Sequence, residues 1–264
     1  MSAPLANRDG RAVFLCYHSI AERGPEFLAL PPGTFERQLD WLRRHDYAAG
    51  GLAELRRLGA GERLDRPTVF LTFDDGFRDN AEVMLPLAQQ YGFRPIIFVL
   101  PTHLEDGAPF TWPEVAADQA ADPALMRSLT WAEVEDMVAA GAEIGSHTLS
   151  HRHLPELDDA ELARELTESK ALIERRLGSC EMVAYPFGEW DARVAGAARD
   201  AGYSFGFSLP QGPQKHYGPH CIPRVNVDSR DDGARFAFKL SALGRRFLLS
   251  PGAEQLRAAK RRLR

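Results

Sequence analysis

The sequence predicts an α/β fold, a distorted and incompletely closed barrel of seven strand–helix units, with an open doubly wound sheet as the alternative. Three observations lead there. Short runs of β-branched and aromatic residues alternate with segments of helical periodicity, the pattern of βαβ units on a parallel sheet. Those runs are mostly apolar on both faces, as strands covered on both sides are. The residues able to do chemistry fall at the C-terminal ends of different runs, which a barrel gathers at one mouth and an open sheet spreads along an edge. A chain of 264 residues, 44% hydrophobic and 26% charged, suits one such barrel, and no internal repeat is visible.

Strands are expected at Val13–His18, Thr68–Phe73, Pro95–Leu100, Glu143–His147, Met182–Tyr185, Phe205–Ser208 and Ile222–Val225. Helices fall between most of them. Thr34–Arg44 carries Phe35, Leu39, Trp41 and Leu42, and Asp79–Tyr91 carries Val83, Met84, Leu85 and Leu87. Thr130-Trp131-Ala132-Glu133 is a capping box, and Gly141 stops the helix it opens. Asp158–Leu177 repeats Leu162, Leu166, Ile173 and Leu177 and ends at Gly178, and Asp191–Ala201 ends at Gly202. The stretch 102–128, with Pro109, Pro113 and Pro123, reads as an irregular insertion at the mouth, and 210–219 as a second mouth loop.

Charge divides the chain. Residues 235–264 hold nine Lys/Arg and one Glu, a net +8, which leaves −13 for the rest of a chain whose total is −5. The division expected is a barrel over 1–234 and a basic amphipathic helical tail over 235–264. Phe236, Phe238, Leu240, Leu243, Phe247, Leu248 and Leu249 interleave the tail's charges, so it either lies on an anionic membrane or packs as a last helix on the barrel. The first ten residues lack the apolar stretch of a signal peptide, and no apolar run is long enough to span a bilayer. Cys16, Cys180 and Cys221 are scattered and read as core thiols in a reducing compartment. These points give an expectation of cytoplasmic placement, and no nucleic-acid partner is expected.

The chemistry lies in two clusters. Phe73-Asp74-Asp75-Gly76 ends one strand, and His147-Thr148-Leu149-Ser150-His151 ends another. Two imidazoles four residues apart face one way if the chain turns helically, and a carboxylate completes three protein ligands for a divalent cation, with positions left for water and substrate. His153 is the reserve ligand. Adjacent carboxylates repel in a low dielectric, so one is expected on the metal and the other free as a base. Aromatic candidates for lining a substrate groove are Tyr17, Trp112, Trp131, Phe187 and Trp190, with Trp112 and Trp190 preferred.

Thr72-Phe73-Asp74-Asp75-Gly76 and His147-Thr148-Leu149-Ser150-His151 resemble the first two motifs of the polysaccharide deacetylase family (carbohydrate esterase family 4). Cys16-Tyr17-His18-Ser19-Ile20, residues 35–47, Leu129-Thr130-Trp131 and Ala184-Tyr185-Pro186-Phe187-Gly188 are similar to its poly-N-acetylglucosamine deacetylase branch. The resemblance runs from about Val13 to Val227. It implies a barrel of the polysaccharide deacetylase type, with Asp74 as general base and Asp75, His147 and His151 as metal ligands. It further implies that Tyr185-Pro186-Phe187 walls the substrate groove, that the Phe187 N–H faces the oxyanion, and that His18 is the general acid, with His216 or His220 in reserve. It implies hydrolysis of N-acetyl groups on a polysaccharide, oligosaccharide or lipid-linked glycan. Zinc is the metal expected for the His/His/Asp donor set, with cobalt and nickel as the alternatives. Deformylation or hydrolysis of another small amide on the same scaffold is the alternative within enzymes, and a non-catalytic glycan-binding barrel the one outside them. The family's Arg two residues before the Pro of the third motif is here Ala184, and Arg224 is expected to reach Asp74 or the substrate instead.

Overall fold

The computed structural model describes residues 11–122, 125–210, 218–248 and 250. In chain order the elements are β1 (Ala12–Tyr17), α1 (Pro32–Arg44), β2 (Ala48–Ala49), α2 (Leu52–Gly59) and β3 (Thr68–Phe73). A π-helical turn, Asn80–Met84, runs into α3 (Leu85–Gln90), followed by β4 (Pro95–Val99), α4 (Ala116–Ala121), α5 (Trp131–Ala139) and β5 (Glu143–Ser146). Then come α6 (Asp159–Leu177), β6 (Met182–Ala184), α7 (Ala192–Asp200), β7 (Phe205–Ser208), β8 (Ile222–Pro223), β9 (Val225–Asn226), α8 (Gly233–Leu240) and α9 (Ala242–Leu248).

All pairings between these strands are parallel, in the order β8-β7-β6-β5-β4-β3-β1-β9, with β2 on the lower half of β3. The two ends of that order, β8 and β9, are one extended segment interrupted at Arg224. Its first half pairs with β7 and its second half with β1. Seven strand positions therefore curl almost shut, and the seam is a single stretch of backbone. The sheet is a nearly closed barrel and not an open doubly wound one.

Alternation along the strands builds two cores. Phe14, Phe70, Ile96, Phe98, Met182, Ala184, Phe205, Phe207 and Ile222 cluster together. Their neighbours in sequence, such as Leu15, Leu71, Ile97 and Val183, pack with helix residues including Leu39, Val134, Leu166 and Val194. Successive strand residues point to opposite faces, so the first set fills the barrel and the second faces the helices. The inward parity of β1 and β3 continues past the strands into the site. Phe14–Cys16–His18 stands beside Phe70–Thr72–Asp74, with Phe14 opposite Phe70 and Cys16 opposite Thr72.

Helix ends follow their capping residues. Thr130 accepts from Glu133 N while the Glu133 carboxylate accepts from Thr130 N, and Asp158 and Asp191 cap α6 and α7. The helix expected over 79–91 is irregular. Pro86 has no N–H and crowds the preceding turn, and the chain answers with the wider π turn. Two helices were not foreseen: α2, which is too short for a clear period, and α4, inside the proline-bearing insertion.

The expected division at 234/235 falls inside the first turn of α8. That helix buries Phe236 and Leu240 in the helix-side core. Asp231, fully buried, accepts from Lys239 Nζ and from Arg235 Nε at 2.8 Å. Gln38 of α1 donates to its backbone carbonyl. The chain turns at Ser241 into α9, and residues 251–264 of the expected tail lie outside the described residues. The three cysteines are buried and unpaired with one another.

Candidate active site

Asp74 and Asp75 leave the end of β3 in different directions because the backbone turns between them. Asp75 and Gly76 both adopt positive φ, 73° and 74°. Asp tolerates that region, whereas at 76 a Cβ would lie 3.0 Å from Val99 Cγ1 as well as being strained, so glycine is required.

Asp75 faces the two histidines. Its Oδ1 lies 3.3 Å from His147 Nε2 and 3.5 Å from His151 Nε2, is fully buried, and has no hydrogen-bond partner among the described residues. His147 Nδ1 sits 2.8 Å from the Ala184 carbonyl oxygen, which fixes the ring and aims Nε2 at Asp75. The three donor atoms lie within 4.8 Å of one another. An orphaned carboxylate oxygen opposed by two oriented imidazole nitrogens fits a divalent cation of borderline softness. Burial lowers the His151 imidazole to about 4, which keeps it neutral and able to ligate. In His147 burial acts the same way, but Asp74 and Asp75 outweigh it and raise the value.

Asp74 faces the barrel interior. Arg224 Nη1 and Nη2 donate to its two oxygens at 2.6 and 2.7 Å, and Cys16 Sγ lies 3.4 Å from Oδ2. Burial pushes the Asp74 carboxyl up, but Arg224, His147 and His18 overcome that and hold it below the usual carboxylate range. Arg224 itself is wholly buried above Phe98 and Phe207 and also donates to Thr72 Oγ1. Its predicted reach to Asp74 is thus present, while its placement among substrate contacts is corrected: no surface of it is open to a ligand.

Above these residues is a cavity of about 650 Å³, with His18, Asp74, Asp75, His147 and His151 among its walls. His18 has a ring nitrogen within 4.8 Å of an Asp74 oxygen, and its Nδ1 is buried without a partner among the described residues. Burial pulls its imidazole below the ordinary value against the pull of both aspartates. The strand end that carries it is braced. Asn80 Nδ2 donates to its carbonyl, and Asp79 accepts from Ser19 Oγ and Ile20 N.

Trp112 lines the cavity and stacks on His151 with ring centroids 4.6 Å apart. Phe187 also lines the cavity, at φ 58° and 37% exposed, with its ring 4.7 Å from that of His151. His153, the reserve ligand, instead stacks on Phe187 at 4.0 Å and bonds Glu189 through Nδ1 at 2.7 Å. Four expected substrate-binding residues are corrected by burial. Tyr17 hydrogen-bonds Gln38, Tyr185 donates to the His220 carbonyl, Pro186 is enclosed in the turn Pro186–Gly188, and Trp190 is 9% exposed and outside the cavity. Trp131 is likewise buried, donating to Glu105. The rings of Tyr17, Tyr185, Trp190 and Trp131 all pack into the core and not into the cavity. His220 is bonded to the Tyr203 carbonyl and stands outside the cavity, and His216 lies outside the described residues.

Cavity residues that the sequence did not single out include Phe27, Leu28, Val115, Leu157, Leu209 and Asn226. Most sit in loops, where no periodicity marks them. Cys16 was read as a core thiol, and Glu165 was not singled out.

An interior-polar barrel mouth, one carboxylate grouped with two imidazoles and a second ionised carboxylate beside them define a metallohydrolase-type site. The chain belongs to the polysaccharide deacetylase family, whose model matches residues 61–206. The matched span holds Asp74, Asp75, His147, His151 and Phe187, while His18 and Arg224 come from the flanking strands that complete the barrel. The chain is 25% identical over 232 residues to YxkH of Bacillus subtilis, named as a polysaccharide deacetylase, covering 87% of this chain and 76% of that one. It is 22% identical over 263 residues to the poly-β-1,6-N-acetyl-D-glucosamine N-deacetylase of Escherichia coli K12, covering 85% of this chain but 38% of that protein. In fold it is similar to the Streptococcus pyogenes deacetylase PplD, with a TM-score of 0.74, 21% identity, and coverage of 87% of this chain and 98% of the other.

Proposed function

We propose that this enzyme removes N-acetyl groups from an amino sugar in a polysaccharide, oligosaccharide or lipid-linked glycan by metal-assisted hydrolysis. The observation that carries the reading is the split of two adjacent carboxylates over one cavity floor, Asp75 toward two imidazoles and Asp74 toward a guanidinium and the cavity. Asp75, His147 and His151 would hold the cation, and zinc suits that donor set best, with cobalt and nickel as substitutes. Such a cation would lower the pKa of its water to ~7 and polarise an amide carbonyl.

The chain's own residues do the rest. Arg224 keeps Asp74 ionised and holds its plane, so that the carboxylate is set to take the proton of the attacking water. His18, with a ring nitrogen within 4.8 Å of an Asp74 oxygen, is placed to hand a proton to the departing amine from its protonated form. Phe187 and Trp112 form walls between which the sugar lies, and the Phe187 backbone is the candidate donor to the oxyanion. Convergence of the complete base-plus-ligand set on one cavity argues against the non-catalytic glycan-binding barrel.

The test is release of acetate, with formate assayed in parallel, from N-acetylglucosamine oligomers and lipid-linked precursors. Acetate release that a chelator suppresses and zinc restores supports the reading. Formate without acetate supports the deformylase alternative, and neither product from any amide substrate rejects catalysis.

The membrane reading of the C-terminal segment has one observation in its favour. Phe238, Leu243 and Phe247 on α8 and α9 are 42, 73 and 49% exposed, next to Arg245 and Arg246 and ahead of the basic residues 257–264. Exposed apolar side chains among cations suit an anionic bilayer surface. Among the described residues no helix is long and apolar enough to cross a membrane. Cosedimentation with vesicles containing phosphatidylglycerol, lost on Phe238→Ser/Leu243→Ser/Phe247→Ser and absent for neutral vesicles, is the expected result. Equal binding by the triple variant rejects it.

A further inference from the structure

The loop that carries both histidine ligands is under tension. Thr148 adopts φ 70° and His151 φ 58°, and Thr148 is β-branched and fully buried, with its Oγ1 lacking a partner among the described residues. A β-branched residue in the left-handed region is a steric outlier that persists only where its surroundings over-determine it. Those surroundings come chiefly from one face of α6. Glu165, 5% exposed, accepts from Leu149 N and Ser150 N at 2.9 Å each through Oε2 and from Ser150 Oγ through Oε1. One turn further along, Ser169 accepts from Ser146 Oγ at 2.9 Å, and Ser146 Oγ accepts in turn from Thr148 N at 3.0 Å. On the other side, Thr102 Oγ1 donates to the Leu149 carbonyl at 2.6 Å.

We propose that Glu165 is a positioning residue for the metal centre, a buried carboxylate that straps the 148–151 loop in its strained form and so sets His151 against His147 and Asp75. The proposal rests on the metal-site reading of Asp75, His147 and His151. A carboxylate suits the task because it carries enough lone pairs to take two adjacent N–H groups and a hydroxyl at once, and because charge-assisted bonds outweigh neutral ones. Nothing in the loop itself can replace it. Leu149 and Ser150 point their backbone donors inward, and without Glu165 the loop relaxes toward ordinary φ by moving its C-terminal end, where His151 stands. His147 moves less, since it is separately held by Val99 O through its N–H and by Ala184 O through its ring.

The experiment compares the metal-free full-length protein with Glu165→Gln by cobalt titration, read from the visible absorption of bound Co²⁺ and from competition with a chromophoric chelator. Glu165→Gln keeps the size but one oxygen only, and is expected to weaken cobalt binding by about 10–100-fold, the usual cost of losing a group that orients a ligand. Its Co²⁺ absorption band should shift, and kcat at saturating cobalt should return to within about threefold of the parent while circular dichroism is unchanged. A residue that served folding alone would lower the melting temperature and leave the cobalt affinity of the folded protein as it was. A folded Glu165→Gln that binds cobalt within about twofold of the parent overturns the proposal. Should that variant not fold, Glu165→Asp decides by the same criterion, since it keeps the charge but withdraws the oxygens by one methylene. A parent protein that takes up no cobalt overturns the metal site, and the strap with it.

Discussion

Asp74 and Asp75 are neighbours in the chain with opposite surroundings, and those surroundings assign their roles. Asp74→Asn keeps the shape of the side chain and leaves Asp75, His147 and His151 untouched. It is expected to lower kcat by ~10²–10⁴-fold, the usual contribution of a positioned base, while zinc binding persists. Near-parental turnover in that variant removes Asp74 from the mechanism. Arg224 is the other half of the pair. Removing one partner of a buried ion pair costs ~3–5 kcal/mol, because the survivor is left uncompensated. Arg224→Met should therefore unfold at markedly lower denaturant, and a midpoint within error of the parent would mean the pair is not buried as described. The doubled aspartates and the paired histidines were legible in the sequence, since a strand end presents successive side chains in different directions. The bidentate Asp74–Arg224 contact was suggested only by a missing arginine at Ala184.

Among the elements, the capping box of α5 and the turn after β1 separate stability from chemistry. Thr130→Ala removes one cap and should cost about 1 kcal/mol, with kcat/KM unaltered, as checked by chemical unfolding beside acetate release. The turn after His18 is a sharper case. Burial raises the Asp79 carboxyl above its ordinary value despite its bonds to Ile20 N, Ser19 and Asn80. A carboxyl raised by folding contributes stability that is present below its unfolded value and is lost as pH climbs through the folded one. Asp79→Asn can still accept from Ile20 and does not ionise. Its stability relative to the parent should rise from pH 3.5 to about pH 6, measured by urea midpoints at each pH, and a falling or flat difference would contradict the assignment. Strand positions and most helix stops were readable from turn and cap residues. The π turn at Asn80–Met84 and the short α2 were not, because a proline's local crowding and an eight-residue helix leave too little pattern.

For the whole molecule, binding of the cation links the site to the fold. A ligand present at 1,000 times its dissociation constant stabilises the native state by about 4 kcal/mol, and each kcal/mol moves the melting temperature of a chain this size by about 2–4 °C. Zinc should raise the melting temperature of the parent and of Asp74→Asn, and should leave His147→Ala unmoved. An equal rise in all three would place the binding elsewhere.

The barrel, its strand order in the chain, the two motifs and the apolar covering of both strand faces were determined by the sequence alone, because parity, capping and turn chemistry are local and act within a few residues. Only the tertiary structure decided that Arg224 holds both oxygens of Asp74, that Tyr17, Tyr185 and Trp190 pack in the helix-side core, and that Glu165 reaches the histidine loop. Those contacts join residues 15 to 150 positions apart, and closing the barrel is what brings them within bonding distance.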